Sequence, residues 1–317
     1  MALTQAIPEH LGALPFAASL FVFGMPHGAA DGAIAWWWAH ARKKPRWHWA
    51  GLLAAYTLAI ALTILLLVTW PAATLAGFLL IAVLHFGLAA ARLYRWDSRV
   101  SGVLTAGVIV LFPFATQPVA TQEVFSSVAS ILGQPEFPRI YVQFFAALGI
   151  ASAGGMLAIL VARALSARGL PAGDILWHLA LLCLVLLSHV MLPPLMAVGI
   201  WFLIWHAAPE LLRVARQSRP DSNALGAIVH GHVLSLPLLV PTLLAIAIAV
   251  RLGGSPSSLA DLARWSIIAY AAVTPGHVVF QETIAVASST AGFTAASLTP
   301  RTGRSPWGRV RGRPPAA

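Results

Sequence analysis

The stretch "WAGLLAAYTLAIALTILLLVT", residues 49–69, carries no charged side chain. Wound as an α-helix, with a rise of about 1.5 Å per residue, it is about 30 Å long and matches the hydrocarbon core of a bilayer. Working outward, runs of similar length and character recur at 13–39, 72–94, 100–118, 139–163, 174–193, 195–213, 225–251 and 262–287. In lipid only helices and closed barrels satisfy their own backbone hydrogen bonds, and these runs are too long for barrel strands. The pattern therefore predicts an all-α, polytopic transmembrane helix bundle of about nine spans.

Composition agrees. Of 317 residues, 59% are hydrophobic and only 9% charged, with a mean hydropathy of +0.80, too few polar side chains to cover a water-soluble globule. Residues 1–288 read as a single transmembrane domain. The net charge of +10 does not point to nucleic acid, because Lys and Arg fall in short clusters between apolar runs. "RKKPR" follows the first run, "RLYRWDSR" the third, Arg163 and Arg168 the fifth, and Arg213, Arg216 and Arg219 the seventh. By the positive-inside rule this asymmetry predicts an N-out, C-in arrangement in the cell's inner (plasma) membrane. Residues 289–317, with "TPRTGRSPWGRVRGRPPAA", then form a disordered basic tail near anionic lipid. The 119–138 segment is too polar to span and predicts an external loop or short interfacial helix. The N-terminus lacks the marks of a removable signal peptide, so the first helix is expected to stay. The one cysteine, Cys183 in "LALLCLVLL", reads as a small apolar packing residue and leaves no disulfide or thiolate metal site. No internal repeat is evident, which argues against an inverted-repeat transporter.

Eleven histidines remain to be sorted by depth. His10, His40 and His48 lie at or outside span ends, His178 and His189 near opposite ends of the sixth span. His230 and His232, two apart in "IVHGHVLSLP", point away from each other on a helix and read as rim or interface residues. His27, His85, His206 and His277 fall near the middle of four separate spans. A polar side chain in hydrocarbon needs a partner, so such residues face the bundle interior and mark function. Pro26, Pro209 and Pro275 predict kinks beside three of the four, shaping a pocket. Four imidazoles suit iron, copper or zinc far better than magnesium or calcium, and iron also supports oxygen chemistry. Asp31, four residues after His27, is placed to accept the second ring N–H of a ligating histidine, His27 first of all. Glu210 stands in the same relation to His206, as a direct ligand or an orienting group. Glu282 is a buried acid without an evident partner. Phe86, Trp201, Phe202 and Trp205 are candidates to line a tunnel, each with packing as its ordinary role.

"GMPHGAADG", together with "LHFGLAAA", "LPPLMAVGIWFLIWHAAPE" and "VTPGHVVF", resembles the Brp/Blh family of integral membrane beta-carotene 15,15'-dioxygenases, found with microbial rhodopsins. The resemblance covers most of the chain, and G-x-P-H-G-x-x-D is its most specific motif. It implies Fe(2+)-dependent cleavage of the central double bond of beta-carotene by dioxygen to give retinal, and a functional link to a retinal-binding rhodopsin. Carried over by position, the metal-binding histidines fall on His27, His85 and His206, and the "PH" of the last helix corresponds to His277 with Gly276 inserted. This chain departs from the family in two places: "LAA" follows H-F-G where an acid is usual, and Glu210 stands where a second histidine is expected. Two other classes stay open on the residues alone, a haem-binding subunit and a proton-coupled transporter using the same His, Asp and Glu residues. Diiron desaturases are set aside because their clustered histidine boxes are missing.

Overall fold

The computed structural model describes residues 7–41, 45–93, 98–134, 136–166, 172–253 and 258–289; the basic tail expected from residue 290 onward lies outside them. Among the described residues the chain is helical, without strands. In chain order the helices are α1 (Glu9–Val22), α2 (Gly24–Ala29), α3 (Asp31–Ala41), α4 (Arg46–Thr69), α5 (Pro71–Leu93), α6 (Arg99–Thr116) and α7 (Pro118–Ile131). They continue as α8 (Arg139–Leu165), α9 (Ala172–Met191), α10 (Pro194–Trp201), a π-helical stretch (Phe202–Ala207), α11 (Ala208–Ser218), α12 (Ala224–Gly253) and α13 (Leu259–Ser289).

Eight helical stretches are long and apolar enough to cross a membrane, as a multi-pass membrane protein requires. The ninth expected span corresponds to α13, which is a helix of 31 residues but is not among the eight. The reason lies in its composition: Asp261, Arg264, His277, Gln281 and Glu282 lower its hydropathy, and Tyr270 and His277 are buried against other helices. By contrast α4, α8, α9 and α12 turn large apolar side chains outward, among them Leu62, Val161, Leu187 and Leu244. Cys183 on α9 is likewise exposed on this outer surface rather than packed inside.

The interior therefore belongs to α1–α3, α5, α6, α10–α11 and α13. Close approach between α5 and α6 depends on Gly87, where a Cβ would stand 2.7 Å from the Val103 backbone nitrogen. The 119–138 segment forms α7, a short helix whose Thr121, Phe125, Val128 and Ala129 are buried in the bundle. At this end the connections are tied by side-chain amides. Gln134 Oε1 accepts from the Ala72 N–H at 3.0 Å, and Gln117 Nε2 donates to the carbonyls of His189 and Leu192, both at 2.7 Å. Arg92 pairs with Glu282 at 2.9 Å, joining α5 to α13 and giving that acid the partner the sequence did not reveal.

Candidate metal centre

The first span is expected as one kinked helix and is instead three segments, separated at Phe23 and Ala30. Pro26 has no N–H to offer, so the carbonyl of Val22, one turn earlier, loses its helical donor. His232 on α12 replaces that donor, its Nε2 donating to Val22 O at 2.6 Å while Nδ1 lies 2.8 Å from the Ile228 carbonyl. A residue first read as rim or interface thus stabilises the break. Its neighbour His230 pairs through Nε2 with Ser218 Oγ at 2.7 Å, linking α11 to α12. At Gly24 a Cβ would stand 2.7 Å from Ser19 O and 2.8 Å from a Phe202 ring carbon, so only glycine lets the broken segment settle here. His27 lies at the middle of α2, a helix buried along its whole length.

A second irregularity places His206. The residues Phe202–Ala207 are wound as a π-helix, a form that occurs mainly as single turns at functional sites. His85 projects from unbroken α5 and His277 from α13, which runs through Pro275 without interruption. In membrane helices packed neighbours and local adjustment accommodate such a proline.

These four elements bring His27, His85, His206 and His277 into a closed ring of imidazoles. Neighbouring centroids are 5.0 Å apart for His27 and His206, 5.1 Å for His206 and His85, 4.8 Å for His85 and His277, and 5.3 Å for His277 and His27. Each pair is close to perpendicular. All four side chains are buried. One ligand nitrogen from each of His27, His85 and His277 lies within 4.8 Å of the others. Both ring nitrogens of His27 and His85, and Nε2 of His206 and His277, find no hydrogen-bond partner. A buried polar atom without a partner costs about 1–3 kcal/mol. Six of them together would cost on the order of 10 kcal/mol, comparable with the whole stability of a domain. One cation takes a single nitrogen from each ring and so removes that cost for up to four of the six, a donor set that fits a borderline metal ion.

Asp31 belongs to the same site through a different partner than its spacing suggests. Its Oδ2 lies 2.5 Å from His277 Nδ1 on α13. Gln281 Nε2 donates to its other oxygen at 3.3 Å. The carboxylate is fully buried and holds His277 with Nε2 turned toward the other rings. Glu210, the other acid named as a candidate ligand, is buried and, like His206, is not among the three convergent donors His27, His85 and His277. Its Oε2 accepts from Arg213 Nε at 2.8 Å, one turn further along α11. A buried carboxylate needs such a cation, and the guanidinium meets that need.

The histidines open into a narrow, largely apolar cavity of about 90 Å³, which His27, His85 and His277 line at one end. Phe86 and Phe202 line it, as anticipated, while Trp201 is committed elsewhere through Nε1 donating to Ser188 Oγ at 2.9 Å. Tyr270 and Thr274 also line it. Tyr270 is held by a 2.8 Å hydrogen bond to Ser19. Sequence reasoning passed over both residues, although Tyr270, Thr274, His277 and Gln281 fall at i, i+4, i+7 and i+11 and so share one face of α13. Of the remaining histidines, His48 stacks on Trp47, His178 Nδ1 lies 2.7 Å from the Asp174 carbonyl, and His189 is buried near Phe112.

Fold and site together define a multi-pass membrane helix bundle built around a buried ring of four imidazoles that faces an apolar cavity. The chain belongs to the beta-carotene 15,15'-dioxygenase family, whose model matches residues 18–284. No curated protein and no solved structure matches it.

Proposed function

We propose that this protein is a non-haem iron carotenoid oxygenase that cleaves the central 15,15' double bond of beta-carotene. The overall change balances without a further reductant: the C=C bond and O₂ are consumed, and each carbon leaves with one oxygen as the aldehyde of a retinal. The observation that carries this reading is the ring of partnerless imidazole nitrogens opening into an apolar cavity, in a chain of this family. His27, His85, His206 and His277 would hold Fe(2+), which when bound supplies dioxygen binding and activation. The buried Asp31 carboxylate fixes the tautomer and direction of His277. Phe86, Phe202 and Tyr270 form the wall beside the histidines, excluding water and aligning a polyene rod. Imidazoles set edge to face at 4.8–5.3 Å leave no slot for a macrocycle between neighbours, which favours bare iron over haem.

The substrate dissolves only in lipid, so a site within a membrane bundle meets it where it resides. We place the protein in the inner (plasma) membrane of its cell, with a retinal-binding rhodopsin as consumer of the product. The test is expression in cells that accumulate beta-carotene. Colour is expected to fade and retinal to appear in extracts, and His27→Ala is expected to abolish both. Persistent colour with parent and variant alike overturns the assignment.

A further inference from the structure

The apolar cavity does not end in apolar surroundings. Val124, Pro194 and Leu195 line it and also line a second, wider recess of about 440 Å³ at the end of the bundle where α7 meets the starts of α10 and α13. The recess is the more polar of the two. Glu123, Ser127 and Arg264 lie on its wall.

Distance along the helices relates this recess to the histidines. Leu195 precedes His206 by eleven residues, about 16 Å of helix, and Arg264 precedes His277 by thirteen, about 20 Å. A C40 carotenoid is about as long as the hydrocarbon core is thick, about 30 Å, so with its central bond at the histidines one terminal ring extends about 15 Å away. That ring arrives at the recess, among side chains that a bare hydrocarbon ring cannot use.

The polar groups match a hydroxyl. Arg264 brings a guanidinium, a fork of N–H donors, to the wall of the recess, where it also pairs with Asp261 Oδ1 at 2.7 Å. The Ser127 hydroxyl donates to Val124 O at 2.8 Å, which turns its lone pairs outward as acceptors, and the Glu123 carboxylate is an acceptor as well. An alcohol both donates and accepts, so it satisfies the two kinds of group at once.

We infer that the recess is a binding site for an oxygenated ring end, and that the enzyme prefers a carotenoid carrying a hydroxyl on at least one terminal ring over beta-carotene. This rests on the carotenoid-cleaving activity proposed above. The test compares kcat/KM for beta-carotene and for its singly ring-hydroxylated counterpart, using the full chain in membranes and measuring the aldehydes released. The hydroxylated substrate is expected to lead by about tenfold, the effect of a hydrogen bond to a charged group. Arg264→Leu and the milder Ser127→Ala are each expected to bring the ratio toward one; should the first fail to accumulate, the second carries the test. Cleavage of both substrates at equal rate, or a ratio untouched by both variants, overturns the recess as a hydroxyl site and leaves the activity standing. Cleavage of neither overturns the activity itself, and the inference with it.

Discussion

Replacing Asp31 by Asn removes the charge that holds His277 while keeping the side chain's shape. Asp31 is fully buried, its Oδ2 lies 2.5 Å from His277 Nδ1, and its second oxygen is held by Gln281. A hydrogen bond involving a charged group contributes about 1.5–3 kcal/mol, and about 1.4 kcal/mol corresponds to a factor of ten. Losing it is therefore expected to weaken iron retention and the rate of retinal formation by about 10–100-fold, the range seen when groups that orient ligating histidines are removed. Iron content of the purified protein and retinal released from beta-carotene in membranes are the two measurements. Because Asp31 acts through His277, adding Asp31→Asn to His277→Ala should cost little more than His277→Ala alone. Iron content and rate within twofold of the parent for Asp31→Asn, or full additivity of the pair, would refute the orienting role.

Other variants probe the scaffold around the ring. His232→Ala leaves the Val22 carbonyl without a donor and should lower stability by about 1–3 kcal/mol in thermal unfolding, with His232→Gln recovering part of the loss. Gly24→Ala should lower stability by a similar 1–3 kcal/mol, since its Cβ meets Ser19 O and Phe202, whereas Gly51→Ala, with nothing within 4 Å, should be neutral or slightly stabilising. Glu210→Gln should keep the parent's iron content, because its carboxylate is engaged with Arg213; loss of iron would return Glu210 to the ligands. His206→Ala, by contrast, should release iron although its fold is retained.

The helical, membrane-spanning character was readable from hydropathy because lipid imposes one solution on backbone hydrogen bonding, whatever the details of packing. The four site histidines were readable for a related reason: a polar group at mid-span is costly unless it has a purpose. Partners across the fold were not. The i, i+4 rule assigned Asp31 to His27, yet its partner is His277, 246 residues away in the chain. Nor does any local pattern announce that His232 caps Val22, since the need arises at Pro26 and the donor comes from α12. The span count shows a parallel limit. Hydropathy measures readiness to face lipid, and the polar residues α13 carries, His277 and Gln281 among them, lower it.

The pairing of α1–α3 with α13, helices far apart in the chain, also sets the order in which the site forms during synthesis. The segment containing Leu11–Trp37 is made before α13, and it is less apolar than most of the eight spanning stretches. Its buried hydroxyl Ser19 and its carboxylate Asp31 wait for Tyr270, His277 and Gln281, more than 200 residues later in the chain. Until α13 enters the membrane, the nascent chain holds three of its four site histidines and none of the contacts that lock the fourth. Assembly of the ring of imidazoles thus waits for α13, whichever of the earlier helices are already in place.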